Sequence, residues 1–218
     1  MLSLFLTAFV TFFVVIDPPG VAPMFATMTQ DMSKSWRRRM AIKSVSVATF
    51  ILVGFAFGGS WLLAKLGVSL DAFRIAGGLL LFLIAIDMLF EKRTERRTNR
   101  AEQVAADQVA HHVEHPEDHD DISVFPLAIP LISGPGAIAS VMLLFAQHAT
   151  WDARAMVLLG AGANLLLCLV FFLLAGPLTR LMGATVAAML TRIFGILLAA
   201  LSAQFVVDGI RNAFGLSG

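Results

Sequence analysis

Two short segments of this chain combine residue types that would build a ligand site inside an apolar environment. Residues 12–25 read FFVVIDPPGVAPMF and residues 128–141 read AIPLISGPGAIASV, so a shift of 116 positions aligns their Pro-Gly pairs. Proline lacks a backbone N–H, and glycine adopts backbone angles that other residues avoid. We therefore expect each segment to interrupt a helix and to free backbone N–H and C=O groups within an apolar run.

The freed backbone groups suit a small ligand that carries both a negative and a positive charge. N–H groups at the start of the helix after each break attract a carboxylate, and carbonyl oxygens before it accept from an ammonium group or coordinate a cation. Proline kinks that shape the helices without binding a ligand are the alternative. The candidate substrate-binding residues are Asp17, Pro18, Pro19, Gly20, Ser133, Gly134, Pro135 and Gly136.

Asp17 stands directly before the first Pro-Gly segment. A carboxylate within a membrane span is costly, so it indicates a functional site by default. Three roles are open to it: carrying a coupling proton, contacting a substrate ammonium group, or capping the helix that follows. Ser133 occupies the equivalent position of the second segment and is also a candidate cap.

Other polar residues in apolar segments have more than one reading. Snorkelling to the membrane surface is the first reading for four charged residues, and pairing that holds the third and sixth spans against their neighbours is the second. These candidate coupling or ion-pair residues are Arg74, Asp87, Arg192 and Asp208. For Asn164 and Gln204, read as buried in the fifth and sixth spans, we expect hydrogen bonds between helices.

Composition identifies an integral membrane protein. Of the 218 residues, 58% are hydrophobic and 14% are charged, whereas soluble domains are about half apolar and a quarter charged. Six segments reach the roughly 20 residues that a membrane-crossing helix needs. They are residues 3–30, 41–64, 69–90, 123–147, 155–176 and 186–210. The expected fold is all-α, with six transmembrane helices, of which the first and fourth are broken at Pro-Gly.

A second repeated segment indicates how the spans are organised. Residues 74–80 read RIAGGLL and residues 192–198 read RIFGILL, which agree at five of seven positions at an offset of 118. The chain is therefore interpreted as one membrane domain with two three-helix repeats, residues 1–90 and 123–218, joined by the polar linker 91–122. An odd number of crossings inverts the second repeat, and we expect the two breaks to meet near the middle of the membrane.

Basic residues predict the orientation in the membrane. They are concentrated after the first span, after the third span and between the fifth and sixth, which all fall on one side. This set comprises Lys34, Arg37, Arg38, Arg39, Lys43, Lys92, Arg93, Arg96, Arg97, Arg100 and Arg180, whereas the opposite side carries Lys65, Arg154 and Arg211. The positive-inside rule then places the linker 91–122 in the cytoplasm and both termini outside it.

Motif searches exclude several function classes. No Walker A sequence occurs, so the chain does not drive transport by its own ATP hydrolysis. No Ser/His/Asp or HExxH arrangement indicates an enzyme. The linker histidines are interpreted as part of a solvated segment, with weak metal binding or regulation as the alternative, and neither a metal nor another cofactor is expected. These histidines are His111, His112, His115 and His119.

Four segments resemble the MarC family of bacterial inner-membrane proteins, and the resemblance covers essentially the whole chain. They are IDPPGVAPMF, PLISGPGAI, RIAGGLLLFLIAIDML and TRIFGILLAALSAQFVVDGI. The resemblance implies a relationship to LysE-type exporters and to transporters of small neutral amino acids such as glycine and alanine, with proton coupling. It also implies that residues 17–20 and 133–136 form two unwound half-sites.

These observations together predict a secondary transporter of a small zwitterionic amino acid. Its partners would be the small-molecule substrate, coupling protons and the lipid bilayer, with no nucleic acid and with a homo-oligomer left open. A passive channel and a non-transporting membrane regulator associated with drug resistance are the alternatives.

Overall fold

The chain is all-helical wherever its structure is described. The computed structural model describes residues 1–30, 32–90, 95, 96, 98, 99, 102–104, 106 and 123–215, without the side chains of residues 125, 126, 130 and 178–184. These residues contain no strand. The helices are α1 (Leu2–Ile16), α2 (Pro18–Met28), α3 (Lys34–Lys65), α4 (Leu70–Leu89), α5 (Ser123–Ile132, wound as a π-helix), α6 (Pro135–Ala146), α7 (Trp151–Leu173) and α8 (Ala175–Ala213).

Five helical stretches among the described residues are long and apolar enough to cross a membrane. They are Leu2–Met28, Lys34–Lys65, Leu70–Leu89, Trp151–Leu173 and Thr185–Ala213. The first stretch consists of α1 and α2. The predicted span 123–147 is divided between α5 and α6, which have 10 and 12 residues and are each shorter than a full crossing. The all-helical membrane fold is thus confirmed, and the sixth crossing stays a prediction.

The interrupted stretch of α1 and α2, and the helix α6, are more buried than the four uninterrupted stretches. More than half of the apolar part of Leu2–Met28 is buried, compared with about a quarter to two fifths of the other four stretches. Nine of the 12 residues of α6 are also buried. The longer helices expose large apolar side chains instead, including Phe50, Trp61 and Leu166. Such a surface fits contact with lipid tails.

The contact between α4 and α8 is the most extensive in the structure. Backbone and side chains of the two helices approach closely at glycines, where an added Cβ would lie within about 3.2 Å of the facing helix. The facing pairs are Asp71 with Gly209, Gly78 with Ser202, and Ala85 with Gly195. Residue numbers rise along α4 as they fall along α8, so the helices are antiparallel. Because α4 has 20 residues and α8 has 39, the N-terminal part of α8 extends beyond the end of α4.

The remaining contacts position the two interruptions. α1 packs mainly on α7, and α5 packs on α3. α2 contacts α7 and α8, while α6 contacts α3 and α4. Further contacts join α1 to α6 and α2 to α5. The two halves of the first interrupted stretch, α1 and α2, are therefore next to α6 and α5, the two halves of the second.

Candidate functional site

Asp17 forms the joint between α1 and α2. Its backbone has φ 58° and ψ 62°, in the left-handed region that Asp and Asn tolerate better than most other residues. The Asp17 N–H donates to Phe13 O over 2.9 Å, and the Asp17 carbonyl accepts from Gly20 N and Val21 N, each over 3.0 Å. One residue thus ends α1 and begins α2. Pro19 and Gly20 lie just after the interruption, in the first turn of α2.

The Asp17 side chain caps α2 from a completely buried position. Its relative exposure is 0%, and Oδ1 accepts a hydrogen bond from Gly20 N over 3.2 Å. Capping, one of the roles predicted for Asp17, is therefore confirmed. Pro18 and Pro19 fit the first turn because a helix start needs no backbone donor there. A side chain at residue 20 would overlap the Asp17 carboxylate, which explains the glycine.

Thr191 connects this joint to α8. Its hydroxyl donates to Asp17 Oδ2 over 3.3 Å, and the residue is buried. Sequence reasoning missed Thr191 because a threonine in an apolar helix usually donates to a carbonyl of its own helix, as Thr11 and Thr29 do here. The available signal was its place directly before the repeated segment that begins at Arg192.

The interruption between α5 and α6 differs from the one between α1 and α2 in its hydrogen bonds. The backbone N–H of Ser133 donates to Ala128 O over 2.8 Å, and its hydroxyl donates to Ala48 O of α3 over 3.2 Å. The residue directly before α6 is Gly134, so no side-chain cap is present at that helix start. Ser133, a candidate cap, does not cap α6, because the extended Gly134 separates it from the helix.

The two interruptions are close to each other. A Cβ built on Gly136, in the first turn of α6, would lie 3.2 Å from Val15 Cγ1, two residues before Asp17. The same position faces Leu81 and Ile84, so this contact is level with the C-terminal half of α4. The end of α1 therefore contacts the start of α6, and the binding role of the segments 17–20 and 133–136 stays a prediction.

Charged residues of α4 make contacts along their own helix or just beyond it. Arg74 is mostly buried, and its Nη1 lies 3.9 Å from Asp71 Oδ1, one turn away. Asp87 pairs with Arg96, whose Nη1 lies 2.7 Å from Asp87 Oδ2. Neither of these two contacts reaches another membrane-crossing stretch, and the pairing that would hold the third and sixth spans against their neighbours stays a prediction.

The polar residues of α8 show one clear departure from expectation. Gln204 is exposed, and its Nε2 donates to Asp208 Oδ1 over 2.7 Å within α8. The prediction that Gln204 is buried was therefore wrong, because its side chain points to the outer face of a helix that is buried on one side. Arg192 is likewise exposed.

Asn164 makes the expected hydrogen bond between helices. Its Nδ2 donates to Phe9 O of α1 over 2.8 Å and to Gly160 O over 2.9 Å. Gly160 permits this contact, because an added Cβ there would lie 2.8 Å from Ala8 Cβ. Among the described residues, the buried Arg74 Nε, Ser140 Oγ and Asn164 Oδ1 have no hydrogen-bond partner. The linker histidines lie outside the described residues.

Several long apolar helices, packed with two interrupted helical stretches, define a multi-pass integral membrane protein. Comparison with protein families matches residues 2–214 to the family described as "MarC family integral membrane protein". The chain belongs to the MarC family.

Relatives of similar length support the same assignment. A UPF0056 membrane protein of Methanocaldococcus jannaschii is 36% identical over 97% of this chain and 98% of its own length. A UPF0056 membrane protein of Archaeoglobus fulgidus is 35% identical over 97% of this chain and 94% of its own length. The UPF0056 membrane protein YvbG of Bacillus subtilis is 32% identical over 98% of this chain and 97% of its own length. Their names describe membrane proteins and state no activity or substrate. No solved structure matches the chain significantly.

Proposed function

We propose that this protein is a secondary transporter of a small zwitterionic amino acid, glycine or alanine, bound between the two interruptions. The observation that carries the proposal is the buried Asp17 carboxylate at the joint of α1 and α2, with Gly20 and Thr191 as donors. A carboxylate withdrawn from water needs such partners, and a membrane protein that retains one inside its helical core has a use for it.

Two features support a defined orientation of the substrate. α6 begins at Pro135 without a side-chain cap among the described residues, so its first N–H groups are suited to a substrate carboxylate. Asp17 offers the opposite charge for the substrate ammonium group. The contact between Val15 and Gly136 leaves little space between the interruptions, which favours a ligand with a small side chain.

Asp17 is also the proposed site of proton coupling. An ionised carboxylate accepts from both Gly20 N and the Thr191 hydroxyl, whereas a proton converts one oxygen into a donor. Protonation therefore changes the contact between α2 and α8. A proton taken up with the substrate would bias the arrangement of these helices, as alternating access requires.

Packing supports the proposal of six crossings in two inverted repeats, residues 1–90 and 123–218. α4 and α8, which carry the repeated Arg-Ile segment, are antiparallel. In such repeats α1, α2, α3 and α4 correspond to α5, α6, α7 and α8. The contact of α1 with α7 then corresponds to that of α5 with α3, and the contact of α2 with α8 corresponds to that of α6 with α4. All four contacts occur. The proposed orientation, with the linker 91–122 cytoplasmic and both termini outside the inner membrane, still rests on the basic residues.

Uptake into proteoliposomes tests the transport proposal. Purified protein is reconstituted, and uptake of labelled glycine, alanine and leucine is measured with and without an imposed pH gradient. We expect uptake of glycine or alanine that the gradient accelerates, and little uptake of leucine. Asp17→Asn should abolish the acceleration, while Asp152→Asn, an exposed carboxylate in the first turn of α7, serves as the matched control.

Each outcome separates the alternatives. Uptake that is identical in wild type and Asp17→Asn rules out proton coupling at Asp17. Large single-channel currents in planar bilayers would identify a passive channel. Absence of flux for every amino acid, with folded protein verified by its helical content, contradicts the transport proposal and favours a non-transporting membrane protein.

A further inference from the structure

A positively charged groove lies at the start of α3, apart from the interruptions of the other helices. It is an open surface depression of about 470 Å³ lined by Ser35, Arg38, Arg39, Ile42 and Lys43. All five residues are exposed. Three cationic side chains and one hydroxyl therefore face the same open volume, next to the apolar side chain of Ile42.

These donors have the chemistry of a phosphate site. Guanidinium groups bind phosphate oxygens through paired N–H donors, and a lysine ammonium adds a compact positive charge. A serine hydroxyl can donate to a third oxygen. The groove thus matches a phosphodiester, and the remaining question is whether the phosphate comes from a lipid or from solution.

The apolar face below the groove favours a lipid. Phe50 is 80% exposed, and Val53, Phe57 and Trp61 are also exposed farther along α3. At 3.6 residues per turn, these residues and those lining the groove fall within an arc of about 140° on one side of the helix. Acyl chains attached to a phosphate in the groove would therefore follow Ile42 and the aromatic side chains, whereas a free phosphate would contact none of them.

We propose that this groove binds the headgroup of an anionic phospholipid. Arg38, Arg39 and Lys43 hold the phosphodiester, and the acyl chains lie along the exposed apolar face of α3. The neighbouring Arg37 is not part of the groove, since its guanidinium lies against the start of α8, with Nη2 3.6 Å from the position of a Gly176 Cβ. Arg37 thus shows that the N-terminal end of α3 lies next to the start of α8. A lipid bound in the groove would stabilise this end of α3.

Native mass spectrometry tests the proposal with phosphatidylglycerol and phosphatidylcholine that carry the same acyl chains. Wild-type protein should retain phosphatidylglycerol in preference to phosphatidylcholine. The double variant Arg38→Gln with Arg39→Gln should lower this preference by roughly tenfold or more. The matched control, Lys65→Gln with Arg211→Gln, removes two exposed positive charges from the opposite end of α3 and from the end of α8, and should keep the preference.

Three results would overturn the proposal. The first is equal retention of the two lipids by wild-type protein, and the second is an equal loss of preference in both double variants. The third is thermal stabilisation by inorganic phosphate that matches that by phosphatidylglycerol, which would identify a site for a soluble anion. If the Arg38 and Arg39 variant does not fold, a photoactivatable phosphatidylglycerol is used on unchanged protein. Crosslinks should then map to residues 35–43, and an even distribution over all helices contradicts the proposal.

Discussion

The hydroxyl of Thr191 and the carboxylate of Asp17 form a hydrogen bond across 174 residues of sequence, 3.3 Å from Oγ1 to Oδ2. Both residues are buried. The bond joins the first interruption to the last helix of the chain. Removal of either group at this bond should therefore affect the packing of α8 against the joint of α1 and α2.

Thr191→Val removes the hydroxyl while keeping the shape of the side chain. We expect a loss of about 1 to 3 kcal/mol in the free energy of unfolding, because a buried carboxylate loses one of its hydrogen-bond donors. Thr49→Val is the control, since the Thr49 hydroxyl donates to Val45 O within its own helix. Chemical denaturation in detergent measures both, and equal losses would show that the bond to Asp17 contributes nothing particular.

Substitutions of Asp17 separate backbone strain from capping. Asp17→Ala should destabilise most, because alanine at a φ of 58° costs about 1 to 2 kcal/mol and also removes the cap. Asp17→Asn keeps an acceptor and tolerates the left-handed backbone, whereas Asp17→Gly relieves the strain but lacks the cap, so it differs from Asp17→Ala in backbone strain alone. Thermal unfolding should rank alanine as the least stable of the three. Equal stability of the alanine and glycine variants would contradict the left-handed conformation.

Two glycines of α7 provide a matched test of helix packing. An added Cβ at Gly160 would lie 2.9 Å from Phe9 N, whereas one at Gly162 meets nothing within 4 Å. Gly160→Ala should therefore lower the free energy of unfolding by about 1 to 3 kcal/mol, because α1 must shift away from α7. Gly162→Ala should leave it unchanged or raise it slightly. Similar losses in both variants would argue against the close contact of α1 with α7.

Asn164 allows the hydrogen bond to α1 to be tested by two changes. Asn164→Leu removes the bond to Phe9 O together with the unpartnered oxygen, so its effect should be modest. Asn164→Asp retains the size but, when ionised, offers only acceptors to the carbonyls of Phe9 and Gly160. We expect the aspartate variant to be less stable by about 2 kcal/mol or more than the leucine variant. The opposite ranking in denaturant unfolding would show that Asn164 does not donate to these carbonyls.

Features that depend on residue type and local spacing were predictable from the sequence. The apolar runs indicated the helical membrane fold, and Asp17 before two prolines indicated both the interruption and the cap. These follow from local rules of backbone geometry, which hold wherever the segment lies in the fold.

Features that depend on which helix faces which were not predictable. Whether Thr191 donates to its own helix or to Asp17 is decided by the neighbour that packing supplies. Ser133 is similar, because its hydroxyl donates to Ala48 O of α3 instead of accepting from an N–H group at the start of α6. Gln204 was expected to be buried, but a helix with one buried face can place a polar residue on the other.

The helix α8 is much longer than the hydrocarbon core of a membrane is thick. Its 39 residues span about 58 Å at 1.5 Å per residue, nearly twice a hydrocarbon core of about 30 Å. α4 pairs with the C-terminal half of α8 and has a length that suits one crossing. The earlier turns of α8 must then enter the headgroup layer or incline along it. A thicker bilayer would submerge these turns, so membranes of different thickness should change the tilt of α8 and the setting of Thr191 near its middle.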